Sequence, residues 1–236
     1  KAFGLKRDKI SVVYNGAAVS TVLAYSSAAF TALAGWQLFG ERLGLVKILA
    51  VSLSLAGCVF VSGAHSLEAW RLNPSGIITG LLSGIAFAGY SLMGKASSQR
   101  GVYPWTALLY TFGYAAIFLL AYNLLPGVLP GGAGSANLFW LGREWAGWAV
   151  LAALAVAPTI GGYGLYTVSL AYLPASVANL IATMEPAITA GLAYVLLGER
   201  LLPVQIAGSL LILSGVVLLR LGEGRNQASE SALAAG

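Results

Sequence analysis

Seven of the eight carboxylates in this chain fall in polar loops, helix ends or tails; Glu185 alone falls in the middle of a long apolar run. An ionisable group at the centre of a bilayer costs at least about 2.5 kcal/mol, so it faces a cavity or a partner. Its neighbours on the run 174–197 are patterned to match. At the helical angle of about 100° per residue, Ser176, Asn179, Thr183 and Pro186 share one arc, and Ala178, Ala182, Glu185 and Thr189 the adjoining one. Val177, Leu180, Ile181, Met184, Ala187, Ile188 and Leu192 make the opposite side wholly apolar. This pattern suits a site where Glu185 binds a proton or a cationic solute group, with Asn179 and Thr183 beside it. The plainer alternative is a protonated glutamate bonded to a neighbouring helix for packing alone. Pro186 also frees a carbonyl one turn back, a further ligand for solute or ion.

Other candidates are weaker. The run 146–169 carries Pro158 and then Thr159, Gly162, Tyr163 and Tyr166 on one stripe. A proline kink next to glycine opens space between helices, and tyrosine supplies an aromatic wall with a hydroxyl. Gly161-Gly162-Tyr163-Gly164 is no nucleotide loop, because it follows no strand. On 75–96, Tyr90 and Lys95 approach a membrane face; Lys95 could attract an anion, though a snorkelling lysine explains it as well. Gly76, Gly80 and Gly84 are spaced for close helix packing, within the monomer or, as the alternative, across a homodimer. The two Gly-Glu-Arg turns, at Gly40-Glu41-Arg42 and Gly198-Glu199-Arg200, read as structural: each carboxylate can accept N–H groups at the start of the next helix and pair with arginine. With one His, one Asp and one Cys in the chain, no metal site, cofactor or acid/base pair is implied, which argues against an enzyme.

These residues must be held by membrane helices. Apolar residues are 58% of the 236 and charged residues 9%, where a soluble domain carries roughly a quarter charged. Seven runs are long enough to span a bilayer: 14–39, 44–63, 75–96, 104–125, 146–169, 174–197 and 203–221. The expected fold is all-α, a polytopic membrane helical bundle. The net charge of +5 comes from basic residues scattered over loops and ends, so a lipid bilayer, and no nucleic acid, is the expected partner. Cys58 is the single cysteine, so no intrachain disulfide is possible. No cleavable signal peptide is evident, and residues 222–236 read as a disordered tail.

The chain also contains part of itself twice. Residues 11–59 align without a gap on 169–217, 158 positions on, with about a third identical, including Tyr14/Tyr172, Thr31/Thr189 and Gly57/Gly215. The same offset pairs Ser27-Ala28 with Glu185-Pro186, so any role of the Glu-Pro pair is asymmetric. Three apolar runs of the second copy have no counterpart in the first. The simplest inference is a ten-helix, two-repeat architecture of about 320 residues lacking its first three helices. The patterns Ala175-Ser176-Val177-Ala178-Asn179-Leu180, Glu185-Pro186-Ala187, Leu197-Gly198-Glu199-Arg200-Leu201 and Gly208…Gly215-Val216 resemble an EamA-type repeat of the drug/metabolite transporter superfamily. That resemblance covers 75–221 as a five-helix second repeat and, in the truncated first repeat 1–63, the last two helices; 64–74 is the connecting loop.

The resemblance implies an integral membrane secondary transporter that exports small metabolites, its substrate a metabolite or an amino-acid-like solute, by alternating access around a site between the repeats. Proton coupling through Glu185 is the further expectation. The alternatives are a non-transporting fragment or subunit that needs other helices and, less well supported, a lipid-modifying membrane enzyme. With the first ten residues set aside, six basic residues (Arg42, Lys47, Lys95, Arg100, Arg220, Arg225) lie on the face of the C-terminus and three (Arg71, Arg143, Arg200) on the other. That bias places the C-terminus in the cytoplasm and the chain in the inner or plasma membrane.

Overall fold

The computed structural model describes residues 20–62, 74–124, 145–198 and 201–234. Every regular element among them is helical, and seven spans are long and apolar enough to cross a membrane. The N-terminal ten residues, His65, Trp140, most of the 64–74 loop, Glu199 and Arg200 lie outside the described residues. Residues 20–25 form a short helix, followed by α1 (Ser27–Phe39) and α2 (Leu45–Ser62). Then come α3 (Pro74–Gln99), α4 (Pro104–Leu124), α5 (Trp145–Val156), a π-helical segment (Ala157–Gly164) and α6 (Leu165–Tyr172). The chain ends with α7 (Ala175–Ala182), α8 (Glu185–Leu197) and α9 (Pro203–Ala234).

Three of the expected continuous spans are interrupted, the first by a turn at Ser26 and two farther along. In the fifth, Pro158 has no N–H to donate and crowds the carbonyl of Leu154, so the α ladder fails there. The backbone widens into the π-helical Ala157–Gly164 and regains α geometry where the Leu165 N–H reaches the Gly161 and Gly162 carbonyls. The sixth span breaks at Thr183–Met184 into α7 and α8, with Pro186 in the first turn of α8. α9 differs in the other direction: it runs to Ala234, through the segment expected to be a disordered tail. Ala, Leu, Gln, Glu and Arg, which favour helix, outnumber the glycines there, so local propensity carries the helix past its apolar stretch.

The described residues form two compact units, one from those up to 92 together with those from 174 on, the other from those between 93 and 173. In the first, α2 and α9 make the most extensive helix–helix contact. It is built on small residues. A Cβ at Gly57 would lie 2.5 Å from the Gly208 carbonyl oxygen, and one at Gly215 would lie 2.7 Å from the Ala50 carbonyl oxygen. Farther along, Gly222 lies against Val46. Contacts that descend α2 ascend α9, so the two helices are antiparallel. In the repeat alignment Gly215 is the counterpart of Gly57 and Gly208 that of Ala50. The two contacts therefore exchange under a local two-fold axis perpendicular to both helices. For helices that span a bilayer such an axis lies in the membrane plane, so the copies are inverted repeats.

The repeat extends to the helix ends. α1 stops at Gly40 (φ 65°) and α8 at Gly198 (φ 66°), with the glycine N–H groups returning to the equivalent carbonyls of Gly35 and Ala193. A left-handed residue closes the last turn, and only glycine takes it without a Cβ penalty. This explains the Gly of both Gly-Glu-Arg turns.

In the second unit Lys95 donates to the carbonyls of Leu170 (3.0 Å) and Leu173 (2.9 Å), closing the exposed end of α6. Gly164 lets the Trp105 ring approach; a Cβ there would sit 2.6 Å from it.

Candidate functional site

Asn179 is the centre of a sealed polar layer. Its Nδ2 donates to Thr31 Oγ1 (2.8 Å) and Ser91 Oγ (3.2 Å), and its Oδ1 accepts from Ser27 Oγ (3.0 Å). All four side chains are buried. The layer joins α1, α3 and α7, and leaves no Asn179 donor or acceptor facing a cavity. One turn away, Thr183 is equally buried, and its hydroxyl (2.6 Å) and backbone N–H (3.1 Å) both donate to the Leu180 carbonyl at the helix break.

Glu185 begins α8 and is exposed, as is Thr189 one turn on. Its carboxylate meets the Tyr25 hydroxyl. At the first residue of α8 it also sits on the positive end of that helix. The site is thus a protonatable carboxylate at a mid-span helix break with a phenol against it.

The first copy breaks at the same place. Residues 20–25 and α1 are separated by a turn at Ser26, the counterpart of Met184, and the Ser26 hydroxyl takes the Leu23 carbonyl. Here Ala28 stands in the proline's place, so the break does not need proline. The asymmetry read from Glu185-Pro186 is one of chemistry, not of backbone.

The remaining candidates are placed as follows. Tyr90 is half-buried and stacks on Phe87, ring centroids 6.1 Å apart. Tyr163 lies on the π-helical segment, partly exposed, its ring edge-on to Phe112 at 5.1 Å; Tyr166 is half-buried on α6. Asn179, Thr183, Glu185 and Tyr90 belong to the first unit, and Tyr163, Tyr166 and Lys95 to the second. Gly80 and Gly84 pack on Ser20–Ser26 of the same chain, and the Gly76 carbonyl accepts from Ser20 at 3.0 Å. That is the intramonomer use of the glycine stripe.

The apolar side of 174–197 is packed within the protein over its first half: Val177 and Leu180 are fully buried with Ala28, Ala32, Ala50, Val51 and Leu219. The first half of the span is enclosed on both sides, and only α8 is open. One expectation needs correction: among the described residues Glu41 neither caps α2 nor pairs with arginine. It pairs with Lys47 (Nζ···Oε2 3.4 Å) and accepts the Ala175 N–H at 2.8 Å, at the start of α7 in the other repeat. Its other partner is the Ser176 hydroxyl. Sequence reasoning did not single out Tyr25, Thr31, Ser91 or Lys47 for such roles. Lys47 carried a readable signal, a lysine three residues inside an apolar span.

The profile of the EamA-like transporter family matches residues 74–221, more than half of the chain. The chain belongs to the EamA-like transporter family. This EamA chain is 27% identical to an uncharacterised transporter of Synechocystis over 89% of its own length and 60% of the relative's. An uncharacterised transporter of Archaeoglobus fulgidus is 29% identical over 77% of the chain and 59% of that protein. A Salmonella typhimurium protein named as a probable amino-acid metabolite efflux pump is 25% identical over 86% and 67%. The EamA chain thus spans about 60% of the length of the first two relatives. A crystal structure with 20% identity shares the fold at a TM-score of 0.64, over 86% of this chain and 66% of that one.

Proposed function

We propose that this chain is the larger part of a secondary transporter for small, amino-acid-like metabolites, an exporter that works by alternating access of two inverted repeats. The observation that carries the proposal is the pair of helix breaks at equivalent positions, Ser26 and Thr183–Met184, one of which carries a mid-span carboxylate. Discontinuous helices at a repeat interface provide half-helix ends and freed carbonyls at mid-membrane, where solutes and coupling ions bind. The substrate class and the direction of transport follow the name of the Salmonella relative. Glu185 takes up the proton or the cationic group, with the Tyr25 hydroxyl beside it. Asn179 and Thr183 hold the break, and Tyr90, Tyr163, Tyr166 and Lys95 are lining candidates. The C-terminus is cytoplasmic in a cell membrane, by the count of basic residues.

The test is uptake of a labelled amino-acid panel into proteoliposomes under an imposed pH gradient. Glu185→Gln is expected to remove the gradient's effect while leaving downhill exchange. Coupling unchanged by that substitution would sink the assignment of Glu185.

A second reading is favoured by the exposure of Glu185 and Thr189. Their repeat counterparts, Ser27 and Thr31, are buried and bonded to Asn179, which also bonds Ser91 of α3. The chain spans about 60% of the length of its first two relatives. On this reading the 236 residues act only with a further transmembrane helix that covers Glu185. Transport by the chain alone would rule it out.

A further inference from the structure

We propose that Glu41 and Lys47 form a latch that ties the first repeat to the start of α7 and closes one end of the transporter, and that solvent reaches the polar layer beneath only when the latch opens. The proposal rests on the transporter reading above.

The Glu41 and Lys47 side chains are only 8% and 10% exposed, at the end of the molecule where α1 turns into α2. Their bonds cross between repeats. Glu41 accepts the Ala175 N–H and the Ser176 hydroxyl, while Lys47 donates to the same hydroxyl at 2.9 Å. The carboxylate lies on the positive end of α7 and supplies one of that helix's missing acceptors. It also packs down on Gly35, where a Cβ would lie 2.9 Å from its carboxyl carbon. Removing either member would leave a buried charge without its partner.

What lies below gives the latch its meaning. Ser176, Asn179 and Thr183 succeed one another along the polar arc of α7, and the arc leads on to the break and Glu185. Behind the latch stands the sealed Asn179 layer, then the break. A path along this arc from the membrane face must pass Glu41 and Lys47 first.

The opposite end cannot be closed in this way. The repeat counterparts of Glu41, Lys47 and Ser176 are Glu199, Gln205 and Ala18. The carboxylate recurs, but the cation and the hydroxyl do not, and Gln205 Oε1 accepts from the nearby Leu202 N–H at 2.9 Å. The sequence thus carries the latch in one copy only, and its loss shifts the balance toward opening at the Lys47 end.

The experiment is thiol labelling of the full chain in membrane vesicles. A cysteine is placed in the sealed layer (Ser27→Cys), and native Cys58, 1% exposed between α2 and α9, serves as internal control. A water-soluble maleimide is the probe, and modification at each site is read by mass spectrometry. Lys47→Gln and Glu41→Gln are each expected to speed labelling at position 27 about tenfold while Cys58 stays unreactive. The double variant Glu41→Cys/Ser176→Cys, bridged by a short bifunctional thiosulfonate, is expected to return the rate to the parent level. A spacer is needed because the glutamate side chain, not backbone proximity, spans this gap. If Ser27→Cys does not insert, Thr31→Cys reports on the same layer. Unchanged labelling in both glutamine variants overturns the latch, as does a parallel rise at Cys58, which marks general loosening. Labelling needs no solute, so its failure leaves the transport proposal standing, and loss of transport leaves the labelling result readable.

Discussion

Asn179 holds three hydroxyls from two other helices with one amide, and its value is in the satisfaction of all four groups. Asn179→Ala would take from Ser27 and Thr31 their amide partner in an apolar interior, while Ser91 keeps the Phe87 carbonyl, at a cost of about 1–3 kcal/mol. The expected outcome is a lower melting temperature in detergent. Ser27→Ala, which removes one bond and leaves the amide two donors engaged, should cost less. Equal losses in the two variants would mean that the layer is not a network. The identity of Asn179 as a buried polar residue was legible from its place on an apolar run. Its partners were not, since Ser27, Thr31 and Ser91 are 152, 148 and 88 positions away and no local pattern joins them. Glu185 was legible for the opposite reason: a carboxylate within an apolar run stands out without knowledge of any neighbour.

At the scale of elements, the broken spans separate what proline does from what tertiary contact does. The break at Ser26 forms without proline, so Pro186→Ala should leave the break at Thr183–Met184 in place and change stability by less than about 1 kcal/mol. Thr183→Val should cost more, because it removes the hydroxyl that takes the Leu180 carbonyl. Thermal melts of the two variants compare these directly; a larger loss for Pro186→Ala would reverse the argument. The glycine stops make a symmetric prediction. Gly40→Ala and Gly198→Ala each force a left-handed alanine and should each cost about 1 kcal/mol. The spans themselves were legible because length and hydropathy suffice for a bilayer helix. Pro158 marked a distortion, but whether it would be a kink or a π-helical segment depends on how the freed carbonyls are rehoused. The tail after Gly222 was misjudged, since polarity was taken for disorder although its alanines and glutamates favour helix.

At the scale of the whole molecule, the α2–α9 seam shows how two copies of one sequence pack on each other. Backbones approach so closely at Gly57, Gly208 and Gly215 that there is no room for a side chain. Gly208→Val is expected to cost about 1–3 kcal/mol through overpacking and to cut the yield of monodisperse protein. The same substitution at Gly191, which has open space around it, serves as the control. Similar losses at both would show that the seam is not what holds the repeats together.

The sequence by itself determined that the chain is a set of membrane helices, that it carries a repeat and the EamA pattern, and that Glu185 is chemically exceptional. Each of these is a property of composition or of spacing along the chain, and the bilayer's thickness and low dielectric turn both into structure directly. Only the tertiary structure decided that the repeats are inverted, that Asn179 is sealed while Glu185 is open, and that Glu41 reaches across to Lys47 and α7. Those outcomes depend on which helices lie side by side, and in a bilayer that is decided by close packing of small residues and by pairing of buried polar groups. Both are relations between positions up to about 150 residues apart, and a pattern read along one helix does not contain them.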